Sequence, residues 1–171
     1  MNKRKKVSIK VPGSTSNLGP GFDTLGLAIN LYLSLEAEPG DKLVIDVVGE
    51  GENEIRRDAD NLVYRSFLEY FKFVDEDSFP LKLLLKNEIP LKRGLGSSGA
   101  AIAGGLLLAR ELAENKVSIF ISFISYLAIF ILNRNRTSFG RANSNSENHS
   151  SLLFGFFSPF NWVSAQFLAM V

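Results

Sequence analysis

The sequence predicts a mixed fold of strands and helices, because segments with strand periodicity and segments with helical periodicity are both present. Apolar and polar residues alternate over residues 7–11, 25–38 and 81–85, which is typical of strands with one buried face. Residues 60–74 and 98–114 instead repeat apolar residues at the spacing of an amphipathic helix. Periodicity alone therefore gives strands and helices but not their arrangement.

The first two strands flank a long loop. Residues 7–11 and 25–38 are the predicted strands, and residues 12–26, which overlap the start of the second strand, read Pro-Gly-Ser-Thr-Ser-Asn-Leu-Gly-Pro-Gly-Phe-Asp-Thr-Leu-Gly. A loop of this length, rich in small hydroxyl residues and carrying one amide and one carboxylate, is oversized for a hairpin connection. The pattern predicts a binding site in this first loop.

Further along, residues 43–48 predict another strand, residues 60–74 a helix, and residues 81–85 a strand leading into a second loop. That loop, residues 90–101, reads Pro-Leu-Lys-Arg-Gly-Leu-Gly-Ser-Ser-Gly-Ala-Ala and runs into a helix that Ser97 or Ser98 is expected to cap. The helix is expected to bury one face, made of Ala101, Ile102, Gly105, Leu106, Ala109 and Leu112.

The second loop has the chemistry of a phosphate site. A helix start has unpaired N–H groups and the positive end of the helix dipole, and Gly94, Gly96 and Gly99 let a ligand approach the main chain closely. The spacing matches neither a Walker loop nor the dinucleotide glycine pattern. Taken alone, the motif is equally compatible with an ordinary tight connection.

Together the two loops resemble those of the homoserine kinases, members of the GHMP superfamily of small-molecule kinases. The string Ser-Thr-Ser-Asn-Leu-Gly-Pro-Gly-Phe-Asp-Thr-Leu-Gly resembles that family's amino-terminal signature, and the second loop is similar to the superfamily's phosphate loop, with Gly99 where alanine is more usual. The similarity covers residues 7–115. It implies a ribosomal-protein-S5-domain-2-like α+β amino-terminal lobe, residues 1–116, with helices on a mostly antiparallel sheet. It also implies that the carboxy-terminal lobe is missing.

The resemblance further implies an activity, the transfer of the γ-phosphoryl group of ATP to L-homoserine in threonine biosynthesis, with Mg²⁺. Asn17 and Asp23 would contact homoserine, Asp23 through its ammonium group. Ser98 would place its hydroxyl toward the magnesium ion or the β-phosphate. The residues implied to bind the nucleotide are Pro90, Leu91, Lys92, Arg93, Gly94, Leu95, Gly96, Ser97, Ser98, Gly99, Ala100 and, near the adenine, Asn61.

Each polar residue also has a structural alternative. Asn17 can stabilise a turn through its side-chain amide, and Asp23 can cap the segment after it. Asn61 can cap the helix that begins at Leu62. Lys92 and Arg93 can be solvated charges rather than phosphate ligands.

Composition restricts the partners. The net charge is +1, with 19 basic and 18 acidic residues, which argues against a nucleic-acid surface. The absence of cysteine excludes a disulfide framework and permits a reducing cytoplasm, the expected location. The basic start is not followed by an apolar run, so it is not expected to be a secretion signal. The oligomeric state cannot be read from the sequence.

Residues 117–171 have a different composition. They hold nine of the 14 phenylalanines, no lysine and one acidic residue, Glu147. Residues 117–132 are uncharged but short of the ~20 apolar residues that cross a bilayer. Three interpretations remain open: a membrane helix, an element that completes the kinase core, and a tail foreign to the ancestral kinase, which the Ser/Asn-rich segment favours.

This tail does not supply what the resemblance demands downstream, namely a second magnesium ligand and arginines that clamp the substrate carboxylate. Glu147 and His149 have the spacing of a family element, but the residues after them do not match it. The expected enzyme is therefore truncated and weak or inactive. The alternatives are a non-catalytic ATP-binding remnant and a membrane-tethered fragment.

Overall fold

The structure, a computed structural model, describes residues 6–16, 18–19, 25–114 and 117. Four strands form one sheet: β1 (Val7–Thr15), β2 (Leu27–Pro39), β3 (Val44–Gly49) and β4 (Leu81–Asn87). Two helices, α1 (Leu62–Val74) and α2 (Ser97–Leu112), complete the described part of the chain. The α+β class predicted from the sequence is confirmed.

The strands lie in the order β1-β2-β4-β3. The β1–β2 and β2–β4 pairs are antiparallel, whereas β3 and β4 are parallel, with Val44 opposite Lys82. The parallel pair is possible because α1 forms the crossover between β3 and β4. The sheet is thus mostly antiparallel, as the resemblance implied.

The sheet has one apolar and one charged face, as alternation along its strands requires. Leu33 and Leu35 of β2 and Leu83 and Leu85 of β4 are buried in the core that the two helices share with the sheet. On the opposite face, the Glu36 carboxylate forms ion pairs with Lys6 Nζ at 2.8 Å and with Lys86 Nζ at 2.9 Å. In the described part of the chain, the sheet and the two helices therefore form two layers, with both helices on the apolar face.

The boundaries of the first loop differ from those predicted. β1 continues through Pro12 and Gly13 to Thr15, so the first residues assigned to the loop are paired with β2. The register shifts between Pro12 and Gly13, and such an irregularity is where a sheet tolerates proline and glycine. At the other end, β2 begins at Leu27, and the side chains of Leu25 and Leu27 are 59% and 53% exposed rather than part of a continuous buried face.

Helix α1 presents an aromatic face to the core. The Phe67 ring lies 4.8 Å from the Phe71 ring and 5.6 Å from the Phe79 ring, measured between centroids, and all three rings meet edge to face or tilted. Asp75 is the C-cap residue that follows the helix, and its left-handed conformation (φ 56°) lets its N–H donate to carbonyls of the last turn.

Helix α2 is buried on two sides, which the sequence did not predict. A β-carbon on Gly104 would meet Leu35 Cδ1 of the sheet at 2.5 Å, and one on Gly105 would meet Ser66 Cβ of α1 at 2.8 Å. Gly105, Leu106 and Ala109 are buried as expected, but Ala101, Ile102 and Leu112 are only partly buried. All six still pack in or against the core, so the predicted face was incomplete rather than misplaced: small residues let the helix lie between two neighbours at once.

The tail predicted for residues 117–171 lies outside the described residues, except for Val117. The Val117 N–H donates to the Tyr70 hydroxyl at 3.2 Å, and its carbonyl accepts from Arg110 Nε at 3.2 Å. Within the described ranges, neither helix combines the length and the apolar character that a bilayer crossing requires. The three interpretations of the tail and the boundary at residue 116 stay predictions.

Candidate functional site

The phosphate-loop segment, residues 90–96, connects β4 to α2 and alternates between two backbone conformations. Lys92, Gly94 and Gly96 have positive φ values of 59°, 69° and 82°, whereas the residues between them do not. Alternation of left-handed and ordinary φ values turns consecutive N–H groups toward one concave side, a geometry that binds anions. The loop thus has the backbone form expected of a phosphate site.

Helix α2 begins without a side-chain cap. Gly96 is the N-cap residue, and the prediction that Ser97 or Ser98 would cap the helix was wrong, because both lie within its first turn. The first intrahelical bond runs from the Ala100 N–H to the Gly96 carbonyl at 2.9 Å. The N–H groups of Ser97, Ser98 and Gly99 therefore precede the helical hydrogen-bond ladder.

No acidic residue lies in the first turn of α2, so no carboxylate of that turn competes for these N–H groups. The positive end of the helix dipole is consequently available to an anionic ligand. Ser98 is exposed there, while Gly99 and Ala100 are buried. The Ala100 N–H is already bonded to the Gly96 carbonyl. The backbone N–H groups that remain for an anionic ligand are therefore those of residues before Ala100.

The two predicted loops meet in the structure. The Ser14 N–H at the end of β1 donates to the Leu95 carbonyl at 3.0 Å. A β-carbon on Gly13 would lie 2.8 Å from the same carbonyl, and one on Gly96 would lie 2.6 Å from both the backbone N and O of Ser14. Gly13 and Gly96 are thus required for the close approach of the first loop to the phosphate-loop segment.

Asn17 and Asp23 lie outside the described residues, so their side chains stay predictions. The residues described just before them, Ser14 and Ser16, are buried. The start of the first loop is therefore fixed against the phosphate-loop segment.

Asn61 is buried, and both ends of its amide are engaged. Its Oδ1 accepts from the N–H groups of Val63 at 3.0 Å and Tyr64 at 3.3 Å, and its Nδ2 donates to the Arg56 carbonyl at 2.6 Å. The alternative that Asn61 caps α1 is confirmed. A contact with adenine stays a prediction of the resemblance. Next to this cap, the Arg56 guanidinium holds the pKa of the Asp58 carboxyl below its usual value through a hydrogen bond.

Lys92 and Arg93 differ in their surroundings. The Lys92 ammonium pairs with the Glu54 carboxylate of the β3–α1 connection, and both side chains are largely exposed. Arg93 is exposed, and within the described ranges no hydrogen bond or ion pair of its side chain is found. The Lys92 charge is therefore compensated in this structure, whereas the Arg93 guanidinium is the more available cation beside the loop.

Sequence reasoning missed Asn87, which anchors the start of the phosphate-loop segment. This buried side chain donates through Nδ2 to the carbonyls of Glu50 at 2.8 Å and Ile89 at 3.0 Å, and its Oδ1 accepts from the Ile89 N–H at 3.1 Å. A signal was available, because Asn87 continues the buried positions Leu81, Leu83 and Leu85 with an amide. A polar residue in such a run indicates a buried hydrogen-bonding role.

The described residues fit a magnesium ion only if the phosphates of a nucleotide supply most of its ligands. Within the described ranges, no three His, Asp or Glu side chains are close enough to hold a metal. Ser98 offers one hydroxyl at an exposed helix start. Because Mg²⁺ is commonly bound through a few protein ligands and the phosphates of its substrate, Ser98 is compatible with an ion that arrives with the nucleotide.

The chain is similar to known proteins in sequence and in fold. Residues 61–123 match the family model of the GHMP kinases N terminal domain. A homoserine kinase of Caldanaerobacter subterraneus is 53% identical over 107 residues, which are 62% of this chain and 34% of that protein. A homoserine kinase of Natranaerobius thermophilus is 43% identical, over 69% of this chain and 40% of that protein.

Among solved structures, the homoserine kinase of Cytophaga hutchinsonii superposes with a TM-score of 0.59 at 26% identity, covering 69% of this chain and 38% of that one. The chain thus spans between a third and two fifths of the length of these relatives. The matched family model and these relatives lead to one conclusion: this chain contains a GHMP kinase N-terminal domain.

Proposed function

We propose that this chain acts in the ATP-dependent phosphorylation of L-homoserine to O-phospho-L-homoserine, a cytoplasmic step of threonine biosynthesis. One observation carries the proposal, the 3.0 Å hydrogen bond from the Ser14 N–H to the Leu95 carbonyl. This bond joins the loop that resembles the homoserine kinase signature to the loop that resembles a phosphate loop. The homoserine kinases among its relatives support L-homoserine as the substrate.

The phosphate-loop segment and the start of α2 would hold the phosphates of ATP. The N–H groups of Ser97, Ser98 and Gly99 supply donors, and the helix dipole supplies partial positive charge without a competing carboxylate in the first turn. Phosphoryl transfer is accelerated mainly by positioning and by stabilisation of charge on the transferred group. Backbone donors in a fixed loop provide both.

Asn17 and Asp23 would bind homoserine. A carboxylate at position 23 pairs with the ammonium group of an amino acid, and the Asn17 amide can hydrogen-bond the polar groups of the substrate. Since the described start of this loop lies against Leu95, a homoserine held by these residues would lie close to the phosphates. Asn61 would lie near the adenine while it caps α1.

Ser98 would contribute to magnesium binding together with the phosphates of ATP. A magnesium ion bound there neutralises part of the phosphate charge. The chain's own contribution at this point is the exposed Ser98 hydroxyl, which α2 presents beside its unpaired N–H groups.

The test is a coupled assay of ADP release by the purified full chain, with ATP, magnesium chloride and L-homoserine. Release that depends on homoserine supports the proposal. Asp23→Asn is expected to raise the KM for homoserine without changing ADP affinity, because only the substrate ammonium loses its partner. Asp77→Asn, at an exposed carboxylate in the connection between α1 and β4, is the matched control and should change neither quantity.

A second pair of variants tests the nucleotide side. Ser98→Ala should weaken magnesium-dependent ADP binding, whereas Ser78→Ala, at another exposed serine, should not. Binding of ADP by the wild-type chain without any homoserine-dependent turnover would replace the proposed kinase by a non-catalytic nucleotide-binding protein. Absence of ADP binding would refute the nucleotide site itself.

A further inference from the structure

One buried hydroxyl beside the phosphate-loop segment has no partner in the part of the chain that the structure describes. Ser14 is fully buried, and its Oγ makes no hydrogen bond. Buried polar groups are nearly always hydrogen-bonded, and an unpaired one lowers stability. Such an atom therefore calls for a functional explanation.

The position of this hydroxyl points to the start of α2. A β-carbon on Gly96 would lie 2.9 Å from Ser14 Oγ, so the hydroxyl faces the N-cap residue of the helix directly. The backbone N–H of Ser14 already donates to the Leu95 carbonyl. Ser14 thus lies against two consecutive residues of the loop. Its N–H is bonded to Leu95, whereas its hydroxyl, which lies beside Gly96, makes no hydrogen bond within the described ranges.

We propose that Ser14 is a positioning residue of the nucleotide site, whose hydroxyl gains its hydrogen-bond partner when a nucleotide polyphosphate occupies the start of α2. A ligand shifts an equilibrium only through interactions that differ between two states. An unpaired donor in the free protein that becomes paired in the complex is such an interaction, so it strengthens binding. This inference rests on the proposed nucleotide site.

The proposal predicts opposite effects of one substitution on two quantities. Ser14→Ala removes an unpaired buried hydroxyl from the free protein, so the urea midpoint of the free full chain should rise or stay the same. The same substitution removes a hydrogen bond from the complex, so the Kd for ADP should increase by about fivefold to thirtyfold, which equals ~1–2 kcal/mol.

Ser66→Ala is the matched control. Ser66 is also a fully buried serine, but its hydroxyl donates to the Leu62 carbonyl at 2.8 Å within α1. Its loss should leave ADP affinity unchanged. Both variants are measured as the 171-residue chain, by calorimetric titration with ADP in magnesium chloride and by urea unfolding without ligand.

Each outcome decides one point. Wild-type binding of ADP with unchanged affinity in Ser14→Ala would overturn the role of Ser14 and leave the proposed function intact. A marked loss of stability in Ser14→Ala would show that the hydroxyl is bonded in the free protein, and would also overturn it. A wild-type chain that does not bind ADP would refute the proposed function and this inference together.

Discussion

Gly96→Ala tests the contact between the two loops more directly than any other substitution. Two costs add at this position. The residue has a φ of 82°, and the left-handed conformation costs a non-glycine residue about 1–2 kcal/mol. The new β-carbon would also lie 2.6 Å from the backbone N and O of Ser14, which belong to a paired strand and cannot rotate away.

Gly94→Ala provides a matched control. Gly94 has a similar φ of 69°, but no atom lies within 4 Å of its β-carbon position. The control should therefore cost only the conformational term, about 1–2 kcal/mol. Overlap in a packed region adds about 1–3 kcal/mol, so Gly96→Ala should cost about 2–5 kcal/mol in total. Both substitutions reduce the entropy of the unfolded chain equally, and this effect cancels in the comparison.

The assay is urea unfolding of the full chain followed by circular dichroism, with the slope of the transition checked for each variant. The difference between the two free energies of unfolding isolates the Ser14 contact. Equal losses in the two variants would refute the close approach of β1 to the start of α2. ADP affinity should also fall further in Gly96→Ala, because that variant displaces the loop as a whole.

Three further predictions concern residues outside this contact. Asn61→Ala should lower the free energy of unfolding by about 1–2 kcal/mol through loss of the helix cap, and Asn61→Asp, which keeps the acceptor, should lose less; equal urea midpoints for Asn61→Ala and wild type would contradict the cap. Asn87→Ala should cost about 2 kcal/mol or more in urea unfolding, because the Glu50 and Ile89 carbonyls and the Ile89 N–H lose their partner, and a loss below ~0.5 kcal/mol would contradict that role. Lys6 and Lys86 lower the pKa of the Glu36 carboxyl from 4.5 to about 2 by hydrogen bonds and charge, so their stabilising effect is present above pH 4.5 and is lost as the pH falls through about 2. The urea midpoint of the wild type should accordingly fall more over that pH range than the midpoint of Glu36→Gln, and parallel pH curves for the two proteins would contradict the shift.

Much of the fold could be predicted because alternation and helical spacing report directly on one-sided burial. The strands at Val7, Val44 and Leu81 and both helices were located in this way. The parallel pairing of β3 with β4 could not be predicted, since the same period-2 pattern suits either strand direction. The two-sided burial of α2 could not be predicted either, because Gly104 and Gly105 have no apolar side chain that would show which faces of the helix are buried.

For the candidate site, the structure bears on the predicted loops more than on the predicted side chains, since Asn17 and Asp23 lie outside the described residues. The glycine pattern and the helix after it indicated an anion site, and positive φ values at Gly94 and Gly96 agree with that interpretation. The serine caps were wrong because a left-handed glycine begins the helix instead. The contact of Ser14 with Leu95 joins residues 81 positions apart, and no local pattern could reveal it.

The adjacent glycines of α2 have a mechanical consequence for ligand capture. Because the sheet touches the helix at Gly104 and α1 touches it at Gly105, sliding by a single residue would place a bulkier neighbour in one of those narrow gaps. The helix is thereby locked along its own axis before any ligand arrives. At the proposed nucleotide site an anion would therefore meet donors that are already in place, and little entropy would be lost on binding.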